Sequence, residues 1–196
     1  MPAYRVDVQR PCDIVEDVLR IYGYNNVEIP KQLKSSLTVL GEEDQMHKQE
    51  NLIGEQLVGC GFNEILNNSF SKITYYQGLN KYTEGNTVKV MNPLSADLGV
   101  MRQTLLFGGL ESIRRNVNHR AANLRFFEFG NCYYFNASRY TAEEPAKGYH
   151  QETHLALWLT GKRIQGSWIH PDEDASFYEL KAYAQNIFAR LGIPTD

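Results

Sequence analysis

The tightest constraint on this chain comes from two segments past its middle, NLRFFEFGNCYYF and HLALWLTGKR. The first is an aromatic, β-favouring run too apolar to stand in water, so it reads as a buried strand. The second reads as another strand, and EEPAKG between them has turn composition. Helical patterns surround these strands without a regular strand–helix–strand rhythm. That arrangement predicts an α+β fold built on an antiparallel sheet.

The remaining elements follow from periodicity and punctuation. YRVDV, at residues 4–8, alternates like a half-buried strand. Residues 13–22 carry Ile14, Val15, Val18, Leu19 and Ile21 at helical spacing and stop at Gly23. A polar connection with Pro30 and Ser35-Ser36 then marks a boundary. It separates residues 1–36 from a larger unit, 37–196. Within that unit a helix over 42–60 stops at Gly61. A strand in EILNNSFS, a short helix in KITYYQGL and a strand in TVKVMNP come next. A helix is expected over 105–118. The last helix begins near Ser176, where Ser176 and Glu179 fit a capping box, and it carries Phe177, Leu180, Tyr183, Ile187 and Leu191 on one side.

Composition excludes several classes. The formal net charge of -3 gives no global positive field for nucleic acid, so any RNA contact must be local. Cys12, Cys60 and Cys132 are an odd number, far apart, and form no C-x-x-C pair. Reduced thiols in a cytosolic setting are the simpler reading than a disulfide framework or a zinc site. The N-terminus lacks an apolar signal core, and the longest apolar run, LALWL, is too short to span a bilayer. Twelve Tyr and nine Phe suit strand-rich cores or adhesive surfaces. Both ends read as cuts in a longer polypeptide: one lies inside an element, the other just after a helical pattern.

Asp13, Glu16 and Asp17 lie at i, i+3 and i+4, so their carboxylates share one helix face, and Asp7 precedes them on the expected strand. Several carboxylates with no His or Cys among them suit a hard cation such as Mg²⁺. D-x-x-E is equally a capping box, and acids favour a helix N-terminus, which is the commoner fate of such residues. His150 and His154 in HQETH do not make a zinc site. The metalloprotease pattern needs Glu where Gln151 stands, and the pair abuts a strand, where i and i+4 lie far apart. Arg114, Arg115, His119, Arg120 and Arg125 gather around a helix C-terminus, either to meet phosphate or, more commonly, as a solvated face. Gly108-Gly109 inside a helix is costly unless something approaches the backbone closely or the helix starts there. No G-x-x-x-x-G-K-[ST] or G-x-G-x-x-G loop is present, and no nucleophile–base pair emerges from local spacing.

In order along the chain, these blocks resemble one family. YRVDVQRPCDIVEDVLRIYGYNNVEIP is similar to the end of the domain that precedes the synthetase-like core in bacterial phenylalanyl-tRNA synthetase β subunits. That family's pattern is Arg-x-Asp-Val, then Asp-x-x-Glu-Glu, then Arg-Ile-Tyr-Gly-Tyr. GFNEILNNSF, VMNPLSADLGVMRQTLLFGGLESIRRN and LRFFEFGNCYYF resemble successive blocks of the core. WLTGKR, Trp168 and FYELKAYAQNIFARLG continue the likeness, which covers essentially the whole chain.

The resemblance implies a class II synthetase-like fold, an antiparallel sheet flanked by helices, with a short strand–helix piece of the preceding domain. It implies an (αβ)₂ cytoplasmic enzyme joining phenylalanine to its tRNA with ATP, the active site lying in the α subunit and the β core acting as a silent relative packed against it. It assigns shared Mg²⁺ ligands to Asp7, Asp13, Glu16 and Asp17, with a departure at Asp17, where the family usually has Glu. LRFFEFGNCYYF resembles the second class II signature, whose ATP-clamping Arg would fall near Tyr134; a phenol supplies neither the charge nor the forked donors of a guanidinium. The third signature would lie beyond Asp196. Leu105, Leu106, Phe107 and Tyr133 are candidate interface anchors, although core packing is the commoner role. The rival expectations are a synthetase-like paralogue serving as a protein-interaction module and, more weakly, an independent adenylating enzyme.

Overall fold

The computed structural model describes residues 4–32, 35 and 41–194. They fall into two compact units, Met1–Gly41 and Glu42–Asp196.

The smaller unit is organised by helix α1 (Pro11–Tyr22). Pro11 opens it at a position whose amide has no intrahelical partner, where a fixed φ suits the helix. Asp13 completes the start by accepting from the amides of Gln9 (2.9 Å) and Arg10 (2.8 Å). Gly23, at φ +92°, ends it, and its amide bonds Leu19 O. Residues 4–8 are turn and irregular backbone where alternation predicted a strand. A strand needs a partner, and no partner pairs with this segment among the described residues; the Val8 amide folds back on Arg5 O instead.

The larger unit contains α2 (Glu42–Gly59), β1 (Asn63–Glu64), β2 (Phe70–Ser71), β3 (Val100–Met101), α3 (Leu106–Asn118), β4 (Leu124–Phe135), β5 (Tyr149–Thr160), β6 (Lys162–Ile164), β7 (Glu173–Asp174) and α4 (Phe177–Arg190). The expected strand pair dominates. β4 and β5 run antiparallel in one unbroken register from Leu124–Thr160 to Phe135–Tyr149. β1 adds a short parallel edge on β4, and two small antiparallel pairs, β2–β3 and β6–β7, stand apart. The expected EILNNSFS strand is divided between β1 and β2, and KITYYQGL forms a 3-10 turn at Ile73–Tyr76. TVKVMNP contributes only a bridge from Lys89 to Val100.

Alternation along β4 creates two faces. Phe127 sits on one face in a cluster with Ile53 and Leu57 of α2, Phe62, and Ile187 of α4. On the other, Phe126, Cys132 and Trp158 pack with Leu105 at the start of α3. This second contact explains Gly109 of the costly pair, while a Cβ on Gly108 would meet Asn67 at 3.0 Å. A Cβ on Gly109 would lie 2.1 Å from the Trp158 ring, so only glycine lets α3 settle on the sheet. At α4, Ser176 Oγ accepts from the Glu179 amide at 3.3 Å, as a cap should. The Glu179 carboxylate turns to Arg125 rather than back to the cap, and Phe177, placed on the apolar side by periodicity, is 73% exposed.

Candidate functional site

The sheet face under α3 is where the second-signature likeness would place an ATP clamp. Tyr134 projects there, and its hydroxyl donates to Gln103 O at 3.0 Å. Gln103 is itself buried: its amide donates to the Tyr76 hydroxyl at 3.1 Å, and its Nε2 to Thr83 O and Thr87 Oγ1 at 2.9 and 2.6 Å. Burial pushes the Tyr134 phenol up to about 12, so the ring stays neutral and works as a hydrogen-bond donor. Burial likewise pushes the neighbouring Cys132 thiol up to about 11, which leaves little thiolate for nucleophilic chemistry.

Beside Tyr134 lies a polar network that local spacing did not reveal. Arg102 Nη1 donates to Glu128 Oε1 at 2.6 Å, and Glu128 is 0% exposed. Glu128 also accepts from the Asn67 amide at Oε1 (3.1 Å) and from Asn67 Nδ2 at Oε2 (2.6 Å). Arg102 also donates from Nε to Asn131 O at 2.9 Å and from Nη1 to Asn67 O at 3.3 Å. Ser112 Oγ donates to Asn67 Oδ1 at 2.7 Å, which ties α3 to the network. Each charge is desolvated and each is answered, as buried ions require. The guanidinium's Nε and Nη1 are thus engaged inside the fold. The signal available in the sequence was an acid inside RFFEFG, a position where an unpaired carboxylate could not remain.

The basic cluster divides. Arg114, Arg115, His119 and Arg120 are exposed around the end of α3, while Arg125 is half-buried elsewhere, donating to Cys60 O (2.9 Å), the Tyr183 hydroxyl (3.2 Å) and Glu179 (3.3 Å). Of the candidate anchors, Leu105 is core, Phe107 stacks on Tyr75, Tyr133 is half-buried and Leu106 is exposed. His150 and His154 flank Glu152 on β5, each ring nitrogen about 3 Å from a different oxygen of that carboxylate.

Two of the four N-terminal acids, Asp7 and Asp17, meet at one side chain. Arg5 reaches Asp7 through two hydrogen bonds of 3.1 Å and Asp17 at 3.3 Å. The guanidinium holds the Asp7 carboxyl below its ordinary range, and the Arg10 and Gln9 amides do the same for Asp13. Glu16 is exposed on the same helix. No group of three or more His, Cys, Asp or Glu able to hold a metal occurs among the described residues. In this arrangement the oxygens of Asp7 and Asp17 are engaged by Arg5 and those of Asp13 by backbone amides.

Comparison with known proteins identifies the family of the chain. Residues 29–196 match the family described as phenylalanyl tRNA synthetase beta chain CLM domain, and residues 1–24 match the tRNA synthetase B5 domain. Over 98% of its length the chain is 61% identical to the phenylalanine–tRNA ligase beta subunit of Bacteroides thetaiotaomicron. It is 45% identical to that of Porphyromonas gingivalis over 100% of its length. It spans 24% of the length of each of these curated relatives. A solved structure titled as an ATP phosphoribosyltransferase regulatory subunit/histidyl-tRNA synthetase from Bacillus halodurans covers 86% of this chain and 40% of its own, with a TM-score of 0.55 at 12% identity. That likeness speaks for the fold alone, an α+β fold of the class II synthetase type. The chain belongs to the phenylalanyl-tRNA synthetase β-chain family.

Proposed function

We propose that this chain is a non-catalytic segment of a phenylalanyl-tRNA synthetase β subunit, supporting an α subunit that attaches phenylalanine to its tRNA at the expense of ATP. In this proposal ATP binds in the α subunit, tRNA is engaged through an (αβ)₂ holoenzyme, and the assembly works in the cytoplasm. Residues 1–36 close a preceding domain, and 37–196 form a synthetase-like core. The observation that carries the reading is Tyr134. A neutral phenol tied to Gln103 O stands near where the resemblance to the second signature expects the clamping arginine, and a phenol cannot neutralise a phosphate in a transition state. The Arg102–Glu128–Asn67 network turns the nearby guanidinium to structural use. The beta-subunit names of relatives up to 61% identical favour this reading over a paralogue serving only as an interaction module. No helix among the described residues is long and apolar enough to cross a membrane.

The direct test is to produce the β chain carrying these residues together with the same organism's α subunit and assay tRNA charging. The pair is expected to form a specific complex that charges tRNA with phenylalanine. Equal charging by the α subunit alone would defeat the reading.

The proposal extends to Mg²⁺ through Asp7, Asp13, Glu16 and Asp17, whose oxygens suit a hard cation. Because Arg5 bridges Asp7 and Asp17, a shared site requires that arginine to leave and the α subunit to complete the shell. In the αβ complex, Arg5→Ala is then expected to enlarge the Mg²⁺-dependent rise in melting temperature, and Asp13→Ala to abolish it. A melting temperature indifferent to Mg²⁺ in every variant would leave the acids as a helix cap and an internal ion pair.

A further inference from the structure

A cleft of about 550 Å³ opens between α3 and the segment that leads from β2 into the Ile73–Tyr76 turn. Gly108, Glu111, Arg114, Arg115 and Asn118 line it from α3, three and four residues apart along one face. Asn67, Asn68, Phe70 and Lys72 line it from the other segment. The buried Arg102–Glu128–Asn67 network borders the cleft but engages neither Arg114 nor Arg115. Neither the Tyr134 face nor the acids of α1 account for these two arginines.

Charge says what fits. Lys72 pairs with Asp97 at 3.3 Å, and Glu111 accepts from the Tyr75 hydroxyl. Arg114 and Arg115, both exposed, have no ion-pair partner among the described residues. Two arginines thus face one carboxylate, and the cleft carries surplus positive charge on a chain whose formal charge is -3. Just past the end of α3, Arg120 stands at φ +65°, the one non-glycine residue at positive φ among the described residues. Its amide bonds Val117 O and the Ala121 amide bonds Asn116 O, so it fills the place after a helix where glycine is the usual residue. The helix dipole accounts for a cation in the last turn, which Arg115 supplies. It does not account for an arginine held in a backbone conformation that strains any side chain and suits glycine. Guanidinium groups present forked donors to phosphate oxygens, and the Phe70 ring, 41% exposed on the facing wall, offers a surface on which a base can stack.

We propose that Arg114 and Arg115 in this cleft, with Arg120 beside it, hold backbone phosphates of an RNA strand, that of the tRNA carried by the holoenzyme. The proposal rests on the reading of the chain as part of a β subunit of a tRNA ligase, and it names a surface. Charges on the cleft wall and beyond the helix end suit a strand crossing the cleft better than one small anion enclosed in it. Phosphate contacts fix position and carry no sequence information, so the cleft orients the tRNA without choosing it.

The test uses the αβ holoenzyme and a tRNA transcript of the same organism, with filter binding across a series of salt concentrations. Arg114→Gln together with Arg115→Gln should weaken tRNA binding at least about tenfold. The log–log salt slope should flatten by about 1.4–1.8, at about 0.7–0.9 per lost phosphate contact. Phenylalanine-dependent pyrophosphate exchange, which needs no tRNA, and the melting temperature should not change. Arg120→Gly, which relieves the backbone, should weaken tRNA binding without lowering the melting temperature. Ethylation of tRNA phosphates should reveal positions whose modification impairs binding to the wild type but not to the double variant. If the wild type charges tRNA and both variants bind it with unchanged affinity and salt slope, the cleft is refuted while the β-subunit reading stands. If the double variant loses tRNA only because it releases the α subunit, the arginines serve another partner and the proposal fails. A wild-type holoenzyme that binds no tRNA overturns the cleft and the β-subunit reading together.

Discussion

The two faces of the β4–β5 ladder are made by alternate residues of the same strands, yet they hold different chemistry. Phe127's face is closed by apolar side chains from α2 and α4. Phe126's face is closed partly by Leu105 and Trp158 and partly by a buried ion pair with an asparagine threaded through it. An apolar cluster asks for volume and shape. A buried charge asks for one partner in one geometry. The faces should therefore respond differently to conservative change, and that difference separates a face that merely packs from one that holds reorganised polar groups.

The largest effects should come from removing a central member of each face. Arg102→Ala strands Glu128 without its countercharge and should cost about 3–5 kcal/mol by urea denaturation. Phe127→Ala should cost a similar amount, about 3–5 kcal/mol, through lost burial and a residual cavity. The comparison sharpens with gentler swaps. Phe127→Leu should recover much of the loss, whereas Arg102→Lys should not, since an ammonium cannot reach Glu128, Asn67 O and Asn131 O together. Equal tolerance of both swaps would erase the distinction.

Next in size is Gly109→Ala, whose Cβ would enter the Trp158 ring; overpacking should destabilise by about 1–3 kcal/mol and shift near-ultraviolet Trp circular dichroism. Alkaline pH should act through the same face. The Cys132 thiol rises from 9.0 to about 11 and the Tyr134 phenol from 10.0 to about 12 on folding. Between these values the unfolded chain loses protons that the folded chain keeps, so stability is whole below pH 9 and falls as pH climbs through about 11 and then about 12. Cys132→Ala should flatten the lower part of that fall and Tyr134→Phe the upper part, the latter also losing about 1 kcal/mol with its hydrogen bond. The smallest effect belongs to α2: Gly54→Ala should raise stability by about 0.5–1 kcal/mol, having ordinary contact at its Cβ and a better helix former in place.

Features governed by neighbours in sequence were the legible ones. The β4 and β5 runs, the bodies of α2, α3 and α4 and the Ser176 cap follow from period and punctuation within a few residues. What needed distant partners stayed hidden. Residues 4–8 alternate like a strand, but alternation cannot supply a neighbouring strand. EILNNSFS is divided because Asn67 turns inward to Glu128, sixty-one residues away. Proximity in sequence groups Arg125 with the arginines of α3, and the fold sends it to Glu179 and Tyr183 instead. At the N-terminus, spacing placed the acids on one helix, but it could not show that Arg5 would sit among them.

The Tyr134 face is expected to be unable to activate an amino acid. ATP–pyrophosphate exchange with phenylalanine, measured on the purified chain and on its Tyr134→Arg variant, tests this directly. Neither is expected to exchange above background, because the neighbouring guanidinium is bound into the Glu128 network and the face is packed beneath α3. Robust phenylalanine-dependent exchange by the unaltered chain would contradict the account.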